Sequence, residues 1–108
     1  MTIYAWDIDG TLCEETGKWW EYEKAKPIPE NIEIINRYFD NTVADYNEIV
    51  LYTARPEEDR EVTEQWLKKH GVKYHRMVMD KFRADVYVDS AMVRPEELQN
   101  VHKIKFEW

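Results

Sequence analysis

Residues 3–11 have the sequence IYAWDIDGT, and this stretch decides the fold. Residues 3–6 are apolar and rich in side chains that favour strands, so they predict a short buried strand. The strand ends at Asp7 and Asp9, and Gly10 behind them permits a tight bend and a close approach of the backbone. The stretch therefore predicts a strand that delivers two carboxylates to one end of a sheet.

Three further apolar runs are each followed by a side chain with catalytic potential. They predict strands at residues 49–52, 77–79 and 86–88. The side chains that follow are Thr53, Lys81 and Asp89. Because the carboxyl ends of parallel strands share one edge of a sheet, these residues are expected to meet Asp7 and Asp9 there.

Helices are predicted between the first three strands. Ile28, Ile32, Ile35 and Phe39 recur at the spacing of one face of an amphipathic helix. A second helix is predicted from Pro56 to His70, with Gly71 as its stop. A short helix is expected at 95–101, and residues 103–108 are ambiguous.

The order of these elements predicts an α/β fold: a single Rossmann-like parallel sheet flanked by helices. The 108 residues predict one domain, 1–108, because domains typically contain about 100–150 residues. No apolar run approaches the ~20 residues of a membrane-spanning helix, and acids follow too early for a signal peptide. The single cysteine, Cys13, cannot form an internal disulfide. We therefore expect a soluble, cytoplasmic protein.

The formal net charge is −7, from 15 Lys and Arg against 22 Asp and Glu. This balance disfavours unselective binding of nucleic acid, which depends on neutralising phosphates with cationic side chains. A small acidic enzyme can still bind a phosphorylated small molecule if a few cations are well placed.

The strand-end residues suggest phosphoryl chemistry. Carboxylates of Asp7, Asp9 and Asp89 would repel one another unless a cation joined them, and oxygen ligands of this kind suit Mg²⁺. Lys81 and the Thr53 hydroxyl could neutralise a phosphate, while an aspartate nucleophile could form an aspartyl phosphate. The plainer interpretation is that such aspartates are turn or helix-cap residues.

Calcium-binding loops also begin with two aspartates at the spacing of Asp7 and Asp9. Such a loop has glutamate at its twelfth position, but the twelfth residue counted from Asp7 is Lys18, so the sequence does not match a calcium loop.

In these motifs the chain resembles the haloacid dehalogenase-like superfamily of phosphohydrolases. The first family motif is matched by residues 5–12, and the second, a strand ending in Thr or Ser, looks like residues 50–55. The third is similar to Lys81, and the fourth, a strand ending in an acid, to residues 86–89. The sequence Thr53-Ala54-Arg55 is most similar to that of a small bacterial and phage branch of the superfamily, which includes capsule-biosynthesis-type phosphatases.

The resemblance implies a role for each matched residue. Asp7 would be the phosphorylated nucleophile, and Asp9 the general acid and then the base for water. Thr53 and Lys81 would hold the phosphoryl oxygens. The ligands of Mg²⁺ would be Asp7, the backbone carbonyl of Asp9, and Asp89.

Further contacts with the substrate are expected from backbone amides and from an arginine. Backbone amides near Ile8 and Asp9 would also contact phosphate. Arg55 would touch the far side of the substrate, or else pair with Glu57 and Glu58 on the surface.

Two departures from the family pattern concern Ser90 and Phe82. Ser90 stands where a second acid usually supports the metal, which predicts a weaker Mg²⁺ site. Phe82 replaces a common proline and is interpreted as a packing change.

The chain also leaves no room for an inserted cap domain. Such a site would accept a bulky substrate or borrow a lid from a second subunit of a homo-oligomer. Trp19, Trp20 and Tyr22 fall where a flap should lie, and they would stack on a sugar or base or pack on the helix beneath.

The leading expectation is a Mg²⁺-dependent phosphatase that acts on a sugar phosphate or nucleotide. The alternative is a module of the same fold that binds a phosphorylated ligand with little or no turnover, which Ser90 favours. A phosphatase that acts on nucleic-acid ends shares the chemistry, but the negative charge disfavours it.

Overall fold

The computed structural model describes residues 2–41 and 47–97, except for the side chain of Trp19. Three strands are formed: β1 (Ile3–Trp6), β2 (Glu48–Tyr52) and β3 (Arg76–Val78). The α-helices are α1 (Pro29–Asp40) and α2 (Arg60–Lys69). Two short 3₁₀ helices are also formed, at Trp19–Lys24 and Glu57–Asp59.

The strands form one parallel sheet in the order β1-β2-β3. Strand β2 lies in the centre and buries three consecutive residues, 49–51, whereas β1 at the edge buries only Tyr4 and Trp6. A strand covered on both faces needs a continuous apolar run, and a strand with one open face needs alternation. The described residues therefore form a small α/β fold with a parallel sheet flanked by helices. This class was predicted, and the architecture is compatible with a Rossmann-like fold.

Helix α1 begins at Pro29, a residue whose fixed φ suits the first turn. Its buried face contains Ile32, Ile35 and Tyr38, while Phe39 is only partly buried. The predicted apolar face is therefore confirmed at Ile32 and Ile35, but at the end of the helix Tyr38 is buried more deeply than the predicted Phe39.

Helix α2 begins at Arg60, four residues later than predicted. Pro56 has extended dihedral angles, with φ −71° and ψ 155°, and residues 57–59 form a tight 3₁₀ turn before the α-helix starts. Thr63, Trp66 and Leu67 form the buried face. The indole N–H of Trp66 donates to the backbone oxygen of Ala25 at 2.9 Å, which ties α2 to the end of the first 3₁₀ helix.

The predicted fourth strand at 86–88 is wrong. Within the described ranges these residues belong to no strand, and Val86 and Val88 are 75% and 94% exposed. The Tyr87 hydroxyl instead donates to the backbone oxygen of Phe82 at 2.6 Å and accepts from the backbone N–H of Ala84 at 2.9 Å. These bonds draw residues 82–87 into a local loop.

The C-terminal predictions are only partly covered. Residues 95–97 are helical, in agreement with the start of the helix expected at 95–101. The rest of that helix and residues 103–108 lie outside the described residues. Over the two described ranges, no helix has the length and apolar character needed to cross a bilayer.

The central strand gives a direct test of this core. Leu51→Ala should lower the free energy of unfolding by about 2–5 kcal/mol, because Leu51 is fully buried and its truncation leaves a cavity. Ile3→Ala on the edge strand, where Ile3 is 52% exposed, is the matched control and should change it by less than about 1 kcal/mol. Urea unfolding measures both values. Equal losses would contradict the placement of β2 at the centre.

Candidate active site

An open ion pair lies at the carboxyl edge of the sheet. Asp7 follows β1, and its Oδ1 accepts from the backbone N–H of Ile8 at 2.8 Å. The Lys81 Nζ lies 3.5 Å from the same oxygen, and the side chains of Asp7 and Lys81 are 39% and 13% exposed. The pair is therefore close enough for attraction and accessible to a ligand.

The electrostatic balance at Asp7 is incomplete. Burial raises the pKa of Asp7 above its ordinary value of 3.8, and the negative charge of Asp9 adds to the rise. The charge of Lys81 and the amide of Ile8 lower the pKa but do not cancel the effect of burial. The site thus favours additional positive charge beside this carboxylate.

Backbone geometry returns Lys81 to the sheet edge. Asp80 has a φ of +61°, a left-handed conformation that aspartate tolerates better than most residues. The backbone N–H of Asp80 donates to the oxygen of Arg55 at 2.9 Å, and that of Lys81 donates to the oxygen of Thr53 at 2.8 Å. These two bonds fold the end of β3 over the end of β2.

Thr53 follows β2 at the same edge and is fully buried. Its backbone N–H donates to the oxygen of Val78 at 3.0 Å, and its hydroxyl oxygen accepts from the N–H of Arg55 at 3.1 Å. The hydroxyl is used there as an acceptor, so its hydrogen is not spent on that contact. Asp7, Thr53 and Lys81 are thus all at the edge where the sequence places them.

The loop after β1 is shaped by the carbonyl of Ile8. This oxygen accepts from the backbone N–H groups of Thr11, Leu12 and Cys13 at 2.8–3.2 Å. Gly10 has a φ of +83°, which side chains rarely tolerate, and its N–H donates to the oxygen of Cys13 at 2.7 Å. The N–H of Ile8 is committed to Asp7, so the prediction that it contacts phosphate is not supported in this geometry.

Asp9 is held by a buried arginine. Arg55 Nε donates to Asp9 Oδ2 at 3.0 Å, and Nη2 donates to Asp9 Oδ1 at 2.7 Å. Burial lowers the pKa of Arg55, but the hydrogen bonds and charge of Asp9 outweigh it and raise the pKa overall. Arg55 therefore carries a permanent charge that Asp9 balances.

The predicted surface pairing of Arg55 with Glu57 and Glu58 is wrong, while its predicted contact with a substrate stays a prediction. The residue is 1% exposed, so the guanidinium faces the interior in this structure. Glu57, the expected surface partner, instead pairs with Arg60. The guanidinium is buried because the turn after β2 aims it inward, toward Asp9, rather than along the surface.

Two contacts of Arg55 were not foreseen as part of the site. Arg55 Nη1 donates to the Thr63 hydroxyl at 3.0 Å, and the ring centroid of Tyr22 lies 3.7 Å from the guanidinium carbon. Thr63 stands on the apolar face of α2, three residues before Trp66, and a hydroxyl in such a position needs a buried polar partner. The position of Thr63 on this apolar face is the feature of the sequence that could have predicted its contact with a buried polar group. Tyr22 is buried against this guanidinium, while Trp20 is 59% exposed.

Cys13 is buried and lies beside this pair. Its Sγ is 3.7 Å from Asp9 Oδ1 and 3.8 Å from Arg55 Nη2. Burial and the charge of Asp9 raise the pKa of the thiol to about 12. The thiol is therefore protonated at neutral pH and is not a nucleophile.

The predicted metal set of Asp7, Asp9 and Asp89 is not assembled. Asp89 is exposed, and its Oδ1 accepts from the backbone N–H of Ala91 at 2.9 Å, because residues 86–88 do not form the strand that would deliver it. Across the described part of the chain, no three Asp, Glu, His or Cys side chains cluster as metal ligands would. Both carboxylate oxygens of Asp9 are bonded to Arg55, which leaves the carboxylate of Asp7 and the backbone oxygen of Asp9 as candidate ligands.

Comparisons with known proteins identify similar folds. No protein-family model matches the sequence, and no match is found among curated proteins. The fold is similar to the crystal structure of a target protein from Vibrio cholerae, with a TM-score of 0.76, 27% identity and 96% of each chain covered. It is also similar to a chain of a Pnkp1/Rnl/Hen1 complex, with a TM-score of 0.61 and 18% identity over 90% of this chain. The match covers 33% of that chain.

The raised pKa of Asp7 has a consequence for stability. Its ionised form is disfavoured in the folded state, so its cost is absent well below pH 3.8 and complete above the raised folded value. Asp7→Asn should therefore be more stable than the wild type near neutral pH, and the difference should shrink as the pH falls through this range. Urea unfolding with a chelator present measures it.

Asp85→Asn, which changes an exposed aspartate, is the control and should show no such gain. A wild type at least as stable as Asp7→Asn near neutral pH would contradict the electrostatic description of the site.

Proposed function

We propose that this chain is a Rossmann-like phosphohydrolase of the haloacid dehalogenase-like type that hydrolyses a phosphate monoester through an aspartyl phosphate. The substrate class is a sugar phosphate or a nucleotide. One observation carries the proposal: the accessible Asp7 carboxylate lies 3.5 Å from the Lys81 ammonium at the carboxyl edge of a parallel sheet. A nucleophile and a cation side by side suit attack on a phosphorus atom whose oxygens gain charge.

In the first step Asp7 attacks the phosphorus atom. A bond forms between a carboxylate oxygen and phosphorus while the ester bond to the leaving oxygen breaks. Lys81 and the hydroxyl of Thr53 offset the charge of the phosphoryl oxygens. Asp9, when it carries a proton, gives that proton to the leaving group.

In the second step water attacks the aspartyl phosphate. Asp9 accepts the proton of the water, and the bond between Asp7 and phosphorus breaks, which regenerates the carboxylate. Each carboxylate oxygen has two lone pairs, so Asp9 can accept this proton while it remains bonded to Arg55. The sequence of bonds is balanced because the consumed water supplies the oxygen of the released phosphate.

Mg²⁺ is part of the proposal. It binds one or two carboxylates and keeps several waters, so Asp7 and the backbone oxygen of Asp9 would hold it without Asp89. When bound, it would neutralise charge on the phosphate. The support is that the Asp7 carboxylate is accessible at the sheet edge, with its side chain 39% exposed.

A second candidate is a module that binds a phosphorylated ligand without turnover. It is favoured by the carboxylates, because across the described residues no three Asp, Glu, His or Cys side chains cluster as metal ligands would and Asp89 instead accepts from the backbone N–H of Ala91. In that case Lys81 and Thr53 would bind the phosphate, while proton transfer by Asp9 would fail.

Turnover of p-nitrophenyl phosphate with Mg²⁺ tests the first candidate. Asp7→Asn should lower kcat by about 10³-fold or more, because no aspartyl phosphate can form. Lys81→Met should lower kcat/KM by about 10²-fold, because it removes charge stabilisation in the transition state. Asp85→Asn is the matched control and should retain wild-type rates. Wild-type turnover by Asp7→Asn would refute the covalent mechanism.

Calorimetry separates the two candidates. The enzyme hypothesis predicts hydrolysis of at least one member of a panel of sugar phosphates and nucleotides, with loss of activity on chelation of Mg²⁺. The binding-module hypothesis predicts heat of binding for a panel member, abolished in Lys81→Met, with no phosphate released. Hydrolysis by the wild type would exclude the second candidate.

A further inference from the structure

We infer that Arg55 is a positioning residue that holds the Asp9 carboxylate in the orientation that proton transfer requires. The inference rests on the proposed function. Its geometric basis is the pair of bonds from Arg55 Nε and Nη2 to the two Asp9 oxygens, at 3.0 and 2.7 Å. Two parallel charge-assisted bonds fix the plane of a carboxylate, which a single bond does not.

Arg55 is itself fixed by the groups around it. Nη1 donates to the Thr63 hydroxyl at 3.0 Å, and that hydroxyl donates to the backbone oxygen of Asp59 at 2.8 Å. The ring of Tyr22 covers the guanidinium at 3.7 Å. The backbone of Arg55 is held at both ends, through the Thr53 hydroxyl and the N–H of Asp80. The side chain therefore has one orientation, and Asp9 takes its own from it.

Asp9 needs this support because its own loop does not enclose it. The side chain of Asp9 is 22% exposed and that of Arg55 is 0% exposed, so the arginine is the rigid member of the pair. Misplacing a catalytic group by about 1 Å can cost ~10²-fold in rate. Lysine cannot reproduce the planar fork of arginine, so Arg55→Lys keeps the charge but loses the orientation.

The contacts also separate this role from phosphate binding. The guanidinium nitrogens are directed at Asp9, Thr63 and Cys13, and Tyr22 covers a face of the group. Arg55 thus acts through Asp9, whereas the phosphate would contact Lys81 and Thr53.

Two esters with different leaving groups provide the test. The p-nitrophenolate ion leaves without a proton, whereas phenolate is more basic and depends on general acid catalysis. For Arg55→Lys, kcat/KM should fall about 10²-fold with phenyl phosphate and less than about 10-fold with p-nitrophenyl phosphate. Because kcat/KM ends at the first irreversible step, the later attack of water does not mask the difference.

A double-mutant cycle with Asp9→Asn shows whether Arg55 acts through Asp9. In the Asp9→Asn background, Arg55→Lys should cause no further loss on phenyl phosphate. Thr63→Val, which keeps the volume but removes the acceptor for Nη1, should show the same leaving-group pattern in weaker form. It carries the test if Arg55→Lys fails to fold. Arg37→Lys, at an exposed pair with Glu33, is the control and should match the wild type.

The outcomes distinguish the inference from the proposed function. Equal losses on both esters, persisting in the Asp9→Asn background, would overturn the inference and show that Arg55 binds phosphate or only supports the fold. Variants with wild-type rates would overturn it as well. A wild-type chain that hydrolyses neither ester, nor any panel member, would remove the proposed function, and the role of Arg55 with it.

Discussion

The charge of Arg55 is the constraint on which the centre of this structure depends. A guanidinium taken out of water is costly unless an anion and hydrogen-bond acceptors replace its hydration. Asp9 supplies the anion, Thr63 supplies an acceptor and the ring of Tyr22 covers the group. One cation thereby fixes the relative positions of the loop after β1, the turn after β2, helix α2 and the first 3₁₀ helix.

The two ion pairs at the sheet edge have opposite characters. Arg55 and Asp9 form a pair whose cation is fully buried, so loss of Asp9 would leave a buried charge and cost about 3–5 kcal/mol. Lys81 and Asp7 form an open pair, longer at 3.5 Å and in contact with solvent. The Asp7–Lys81 pair can therefore engage a phosphate, while the Asp9–Arg55 pair keeps its geometry.

Local periodicity made much of the fold predictable. The apolar runs at 3–6 and 49–52 are strands, the stripe through Ile32 and Ile35 is a helix, and the sheet is parallel. The edge positions of Asp7, Thr53 and Lys81 follow from that sheet, because each stands just past a strand. These are consequences of short-range pattern, which one sequence contains.

The errors share a different origin. The run at 86–88 has the composition of a strand, but the hydroxyl of Tyr87 bonds to the backbone of Phe82 and Ala84 in a local loop, and composition does not reveal that arrangement. The partner of Arg55 depends on the direction of its side chain after β2. The acids nearest to it in sequence, Glu57 and Glu58, were therefore wrongly predicted as its partners. Asp9 lies 46 residues from Arg55 in the chain, beyond the reach of any local pattern.

Asp80 shows how backbone handedness restricts which residues a solvent-facing position accepts. Its carboxylate is exposed, so exposure alone would permit almost any substitution there. The left-handed φ of +61° admits glycine, asparagine or aspartate with little strain, but a β-branched side chain would force the turn to reverse. The chain would then leave β3 in another direction and carry the ammonium group of its neighbour away from the sheet. Few residue types therefore suit this backbone conformation although the position is exposed.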